Sequence, residues 1–334
     1  MWNPKTPLAE GSIDVHAHLL PRDCYAIPVA DGVRELTERA GELHLGDFPI
    51  AVTADQISSV TTMLADMDEH DIAVRAISAP PYAFAVTAEP DAAAEYARRV
   101  NDGLLELCAT APDRVIPLGV LPVQDRAATV AEVARLRAEG VPGVSVPPVV
   151  GTATLGDPDL RHVVDAASEA GLAVLVHPMQ QPRPGFNEHY LQNLIGNPVE
   201  SATAIASLLL GGVFDERPDL RVAFVHGAGV APALLGRWDH GWRMRGDVSC
   251  DSPRPPSVMF REHVYADALA HSADAGELLC SVIDPARILL GSDYPFDMAD
   301  PDPVRSAKDL GLDGEALRTN ALRWLGRTNG KEDS

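Results

Sequence analysis

Short apolar runs recur along the chain, separated by longer stretches in which apolar positions return at helical spacing. The runs are IDVHAHL (13–19), VRAISAP (74–80), VIPLGVLP (115–122), PGVSVPP (142–148), LAVLVHP (172–178), RVAFVHG (221–227), HVYADAL (263–269) and RILLGSDYPF (287–296). Most are rich in Val, Ile and Leu and too short for helices, so they predict buried parallel strands. The stretches between them carry helix end signals. DRAATVAEVARLRAEG starts at Asp125 and stops at Gly140, and DPDLRHVVDAASEAG does the same from Asp157 to Gly171. Eight strands alternating with helices predict an α/β fold, a (β/α)8 TIM-like barrel spanning 1–334 as one domain. The alternative is an open doubly wound sheet. No Gly-rich phosphate loop follows any strand, HGAG after the sixth being too short to count. Two insertions break the alternation, at 20–54 after the first strand and at 179–197 after the fifth. Both are expected as loops over the C-terminal mouth of the barrel. The polar tail GRTNGKEDS (326–334) is expected to fray.

Composition narrows the partners. Hydrophobic residues make up 46% of the 334 positions, ample for a large core. The formal charge of −21 argues against nucleic acid and anionic membrane surfaces. A small anionic substrate stays open, because a local arginine can dominate inside a pocket. Cys24, Cys108, Cys250 and Cys280 are too far apart for zinc-knuckle or redox pairs and read as free thiols. The N-terminus has no apolar core of signal-peptide length, and no apolar run approaches a membrane span, so the expected location is cytoplasmic.

Chemistry concentrates at the ends of the runs. Strand alternation puts Ile13, Val15, Ala17 and Leu19 on one face and Asp14, His16 and His18 on the other. The apolar face suits the helix layer, which turns the histidines into the barrel. His177 closes the fifth strand, His226 the sixth and Asp293 the eighth, at the barrel end where catalytic groups collect. Neutral imidazoles with one carboxylate suit zinc, with manganese as the alternative. Each histidine taken singly also fits a hydrogen-bonded rim residue; it is the set that points to a metal. Asp267 on the seventh strand reads either as a ligand or as a carboxylate orienting a ligand histidine. His44 and His189, in the two insertions, are candidates to reach the mouth. Lysine occurs only at positions 5, 308 and 331, none on a barrel strand. A Schiff base or a lysine-bridged pair of metals has no amine to use, and a single ion is the economical reading.

With those residues in place the sequence resembles the amidohydrolase superfamily. More narrowly it resembles the aminocarboxymuconate-semialdehyde decarboxylase family, which includes decarboxylases of ortho-hydroxybenzoates. The resemblance covers nearly the whole chain and is most specific in IDVHAHLLP, VLVHPM, LLLGGVFDERPDLRVAFVHGAG and ILLGSDYPF. It implies that His16, His18, His177 and Asp293 hold one divalent metal ion, with no organic cofactor. It implies a catalytic role for His226 beside the metal, with Asp293 as ligand and proton relay. Met179 and Phe296 match pocket-lining positions. Arg237 matches an arginine that enters the neighbouring subunit's pocket in a homodimer and binds a substrate carboxylate. One departure stands out. The semialdehyde decarboxylases carry a further arginine before the first barrel helix, whereas no Lys or Arg lies between Arg39 and Arg75 here. Unless Arg22, Arg34 or Arg39 swings in, the pocket has one fewer cationic anchor, which favours a less charged substrate. The expected activity is decarboxylation of a small unsaturated or aromatic carboxylic acid, ortho-hydroxybenzoate- or muconate-like. Hydrolysis of an amide, ester or lactone on the same site is the alternative.

Overall fold

The computed structural model describes residues 2–327, so positions 328–334 of the tail expected to fray lie outside the described residues. Eight parallel strands form one sheet in chain order: β1 (Ser12–His18), β2 (Ile72–Ser78), β3 (Val115–Val120), β4 (Gly143–Val146), β5 (Ala173–Val176), β6 (Val222–Phe224), β7 (Val264–Asp267) and β8 (Ile288–Leu289). Each overlaps a predicted run. The sheet closes on itself, because Val15 N–H donates to the Leu290 carbonyl at 2.9 Å and His18 N–H to that of Tyr294 at 2.8 Å. The result is the expected barrel.

Helices follow the strands in turn: α1 (Val60–Glu69), α2 (Pro90–Cys108), α3 (Arg126–Ala138), α4 (His162–Glu169), α5 (Asn197–Leu210), α6 (Ala231–Met244), α7 (Ala273–Val282) and α8 (Gly314–Trp324). Asp125 caps α3 by accepting from Ala128 N–H. The cap expected at Asp157 is not one. Its carboxylate accepts from Thr154 N–H in a turn, and α4 starts later, at His162. Val174, Val176, Val222 and Phe224 face outward onto Val163, Ile205 and Leu208 of α4 and α5. The alternate residues Ala173, Leu175, Ala223 and Val225 fill the barrel interior with Trp324 from the end of α8.

β1 departs from strict alternation. Ile13 and Val15, expected against the helices, belong to the interior cluster. Asp14 points the other way, to Arg75, whose second carboxylate partner is Asp66 on α1. Between Asp14 and Ala17 the strand advances three residues while β2 advances two, from Arg75 to Ile77. The extra residue is a bulge, and it inverts the phase. Past it Ala17 packs outward with Leu19 and Leu20, and His16 and His18 face the mouth. The histidines therefore point inward as expected, but Asp14 does not share their face.

The first insertion is not a loop. It folds into a four-stranded antiparallel sheet, Ala26–Val29, Gly32–Arg39, Glu42–Leu45 and Phe48–Pro49. The second is irregular up to a π-helical turn at Gln192–Gly196 that leads into α5.

Candidate active site

The polar residues from four strand ends meet in one place. His16 and His18 leave the end of β1, and His177 follows β5 directly. His226 and Asp293 sit in the turns after β6 and β8, both with left-handed backbone, φ +56° and +65°. Asp293 is the hub. Its Oδ1 lies 3.2 Å from His16 Nε2, 3.1 Å from His18 Nε2 and 3.9 Å from His177 Nε2, and its Oδ2 lies 3.3 Å from His226 Nε2. One donor atom each from His16, His177, His226 and Asp293 falls within 4.8 Å of the others. His18 stands at the edge of that group and joins it through Asp293 Oδ1.

Outer hydrogen bonds set the direction of the ring nitrogens. His16 Nδ1 lies 2.8 Å from Asp267 Oδ2, and His177 Nδ1 lies 2.7 Å from the Pro178 carbonyl. His18 Nδ1 faces Ser78 Oγ at 3.3 Å. A proton on Nδ1 answers each of the first two acceptors, which leaves a lone pair on Nε2 aimed at Asp293. His16 Nε2 and His177 Nε2 are buried and make no hydrogen bond. Acceptors facing acceptors in a buried site call for a cation between them.

Electrostatics agree. Burial works against charge on His16, yet Asp293 and Asp267 on either side outweigh it and push its pKa up to about 10. This spot attracts positive charge, a proton on His16 where no metal ion displaces it. Burial pushes His177 down to about 3, the neighbouring imidazoles adding to the effect, and burial also lowers His18. Both rings are therefore neutral, the form in which an imidazole can bind a cation. Burial disfavours the Asp293 carboxylate, but His16 and the other imidazoles hold it well below the usual range. Three nitrogen donors and an ionised carboxylate fit a borderline divalent cation.

The cluster floors a cavity of about 1020 Å³ that His177, His226 and Asp293 enter from below. Met179, Tyr82 and Phe296 line its walls, with the Phe296 ring 5.3 Å from that of His18. Both insertions roof it, the first through Ile27 and Phe48 and the second through Tyr190. His44 and His189 do not line it. His44 pairs with Pro49 within the insertion sheet, and His189 is exposed beside Glu188. Arg237 is exposed on α6 and likewise stands outside this wall. Arg34 does line it, the one Lys or Arg among the lining residues. It pairs across the insertion sheet with Ile27 and shares a face with Leu36, both buried, so that face turns inward.

Sequence reasoning passed over Glu200, which is wholly buried on α5. It accepts from Met179 N–H at 3.0 Å and Gln181 N–H at 2.7 Å, fixing the loop that carries Met179. Burial raises its pKa. A lone carboxylate in the apolar stretch VESATAIASLLL was the available signal. Asp267, left open between two roles, orients His16.

Residues 13–331 match the amidohydrolase family profile, and the chain belongs to that family. It is 31% identical over 273 residues to the 2-amino-3-carboxymuconate-6-semialdehyde decarboxylase of Dictyostelium discoideum, covering 79% of this chain and 75% of that one. It is also 31% identical over 251 residues to the gamma-resorcylate decarboxylase of Rhodococcus jostii (strain RHA1), covering 69% of this chain and 75% of that one. Among solved structures, a dihydroxybenzoic acid decarboxylase from Polaromonas sp. JS666, with bound manganese and the inhibitor 2-nitroresorcinol, has a TM-score of 0.78. At 21% identity, over 97% of this chain and 100% of that one, the likeness is one of fold.

Proposed function

We propose that the chain is a metal-dependent carboxy-lyase that decarboxylates a small unsaturated or aromatic carboxylic acid without an organic cofactor. The observation that carries this reading is the convergence of four imidazole Nε2 atoms on the Asp293 carboxylate beneath a largely apolar cavity. The relatives named above are decarboxylases of such acids, which supports the choice over hydrolysis.

We assign His16, His18, His177 and Asp293 as the ligands of one divalent ion, zinc first for its fit to nitrogen-rich donors and manganese second. The bound ion supplies Lewis acidity to a substrate oxygen. The chain supplies the rest. In decarboxylation the bond between the carboxyl group and its carbon breaks, its electron pair stays on that carbon, CO₂ leaves and a proton takes up the pair. His226, on the other oxygen of Asp293 from the ligand histidines, is the proton carrier at Nε2. Asp293 bridges the two functions as ligand and relay. Phe296, Met179 and Tyr82 bind the flat apolar body of the substrate and keep water from the carbon being protonated. Arg34 takes an anionic oxygen at the outer end of the cavity. Arg237 reaches the cavity of a neighbouring subunit in a homodimer and holds a carboxylate there.

The test is CO₂ release from a panel of ortho-hydroxybenzoates and muconate-type acids, with chelator-treated protein reloaded with zinc or manganese. Metal-dependent CO₂ release is the expected result. Turnover of lactones or amides without CO₂ release on any acid would replace this reading with hydrolysis.

A further inference from the structure

Asp14 is fully buried yet takes no part in the cluster. It lies behind it and accepts four hydrogen bonds. Its Oδ1 receives the backbone N–H of His16 at 3.0 Å and of Ser292 at 3.1 Å. Its Oδ2 receives the Ser292 hydroxyl at 2.6 Å and Arg75 Nε at 2.8 Å. Three of these donors come from the two sides of the seam where β1 meets the end of β8, and the fourth, Arg75, comes from β2. The backbone is irregular on each side, bulged in β1 and left-handed at Asp293. Such segments lose regular ladder bonds, and their N–H groups need other acceptors. Asp14 provides them at the two places from which His16 and Asp293 project. The Asp293 N–H in turn donates to the His16 carbonyl at 2.8 Å.

Arg75 locks this carboxylate from the outside. Its Nη1 lies 2.7 Å from Asp66 Oδ2 on α1, an ion pair without hydrogen-bond alignment. Its Cζ sits 4.4 Å from the centre of the Tyr294 ring, one residue past Asp293. The Ser292 hydroxyl, besides donating to Asp14, accepts from Tyr294 N–H at 3.1 Å. The backbone N–H bonds of the assembly hold the chain next to His16 and Asp293, and none of Asp14, Asp66, Arg75, Ser292 and Tyr294 lines the cavity.

We propose that Asp14, held by Arg75 and Ser292, is a positioning residue that fixes the spacing of His16 and Asp293 and so sets the affinity and geometry of the cation they hold. The proposal rests on the metal site assigned above and adds to it a support outside the ligand set. Removing a buried charge partner also costs stability, so the experiment has to separate fold from site.

The measurements are the affinity of the metal-free protein for Co²⁺, by competition with a chelator, and the visible spectrum of the Co²⁺-bound form. In Asp14→Asn the affinity falls by about 10- to 100-fold, the usual effect of losing an outer-shell partner, and the bands shift. Ser292→Ala, which removes one hydroxyl, gives a smaller change in the same direction. Leu136→Ala, on the buried face of α3 and away from the seam, lowers thermal stability while leaving both readouts at the wild-type values. Wild-type affinity and spectrum in a folded Asp14→Asn protein would overturn the positioning role alone. If Asp14→Asn does not fold, an unchanged Ser292→Ala does the same. A wild-type chain that binds no Co²⁺ would overturn the metal site itself.

Discussion

The floor of the cavity and its roof are held in opposite ways. On the floor His16 and His18 are wholly buried, each ring is tied by an outer hydrogen bond, and the backbone behind them is stitched by Asp14. On the roof Phe48 is 53% exposed and Val33 60%, and the two insertions meet through a stack of Phe48 on Tyr190 with ring centres 6.5 Å apart. A site that must hold a charge between fixed donors is built on rigid elements, whereas a surface that must admit and select a substrate is built on connecting segments. Substitutions on the floor should therefore abolish one step cleanly, and those on the roof should grade selectivity.

The sharpest break is His226→Asn. It should keep the bound metal and lose about 10²- to 10⁴-fold in kcat, the range of a general acid–base group. Metal content by elemental analysis and CO₂ release decide it. Near-wild-type turnover would move the proton chemistry elsewhere, and metal loss would make His226 a ligand, as its place among the four mutually close donors allows. The same variant tests the subunit reading. Arg237→Ala alone should be nearly inactive on the carboxylate substrate, and mixing it with His226→Asn should restore turnover in hybrid dimers. Failure to complement, with Arg237→Ala active by itself, would leave Arg237 a solvated helix residue.

Floor and roof also differ in how legible they are from the sequence. The floor was legible because metal chemistry demands particular side chains at strand ends: His177, His226 and Asp293 each follow an apolar run. What period-2 reasoning missed was the bulge, since one extra residue inverts a strand without changing its composition. Strict alternation consequently sets Asp14 beside the histidines instead of behind them, and nothing in the pattern marks the buried Arg75 that identifies its true side. The roof was less legible, although it left signals. Ala30-Asp31 before Gly32, Ala40-Gly41 and Gly46-Asp47 break the first insertion into short alternating segments, and these three pairs are its hairpin turns in the structure. Side-chain reach across that sheet is not written in the sequence, so from the sequence Arg34 is one of three candidate arginines with Arg22 and Arg39. Its pairing with Ile27 singles it out.

Arg34→Gln sharpens the contrast. An exposed charge-assisted hydrogen bond is worth less than its buried counterpart, and about a tenfold rise in KM is expected for acids with a second anionic group. Acids with one carboxylate should be unaffected, and kcat should stay constant for both. Equal losses on both substrate types would mean that Arg34 shapes the roof without reading charge.

The smallest effect belongs to the aromatic pair. His189 and Tyr190 both have left-handed backbone, φ +53° and +58°, a conformation that costs a non-glycine residue energy and persists only when something else holds it. The Phe48 stack crosses from one insertion to the other at that point. Such a pair contributes about 0.5–1.5 kcal/mol beyond area burial, and exposure favours the lower end. Phe48→Ala should therefore raise KM by about two- to fivefold, with kcat, metal content and thermal midpoint unchanged, and Phe48→Trp should recover most of the loss. If Phe48→Ala instead lowered kcat together with the thermal midpoint, the stack would be bracing the barrel floor, and the division between a fixed floor and an adjustable roof would fail at its most exposed contact.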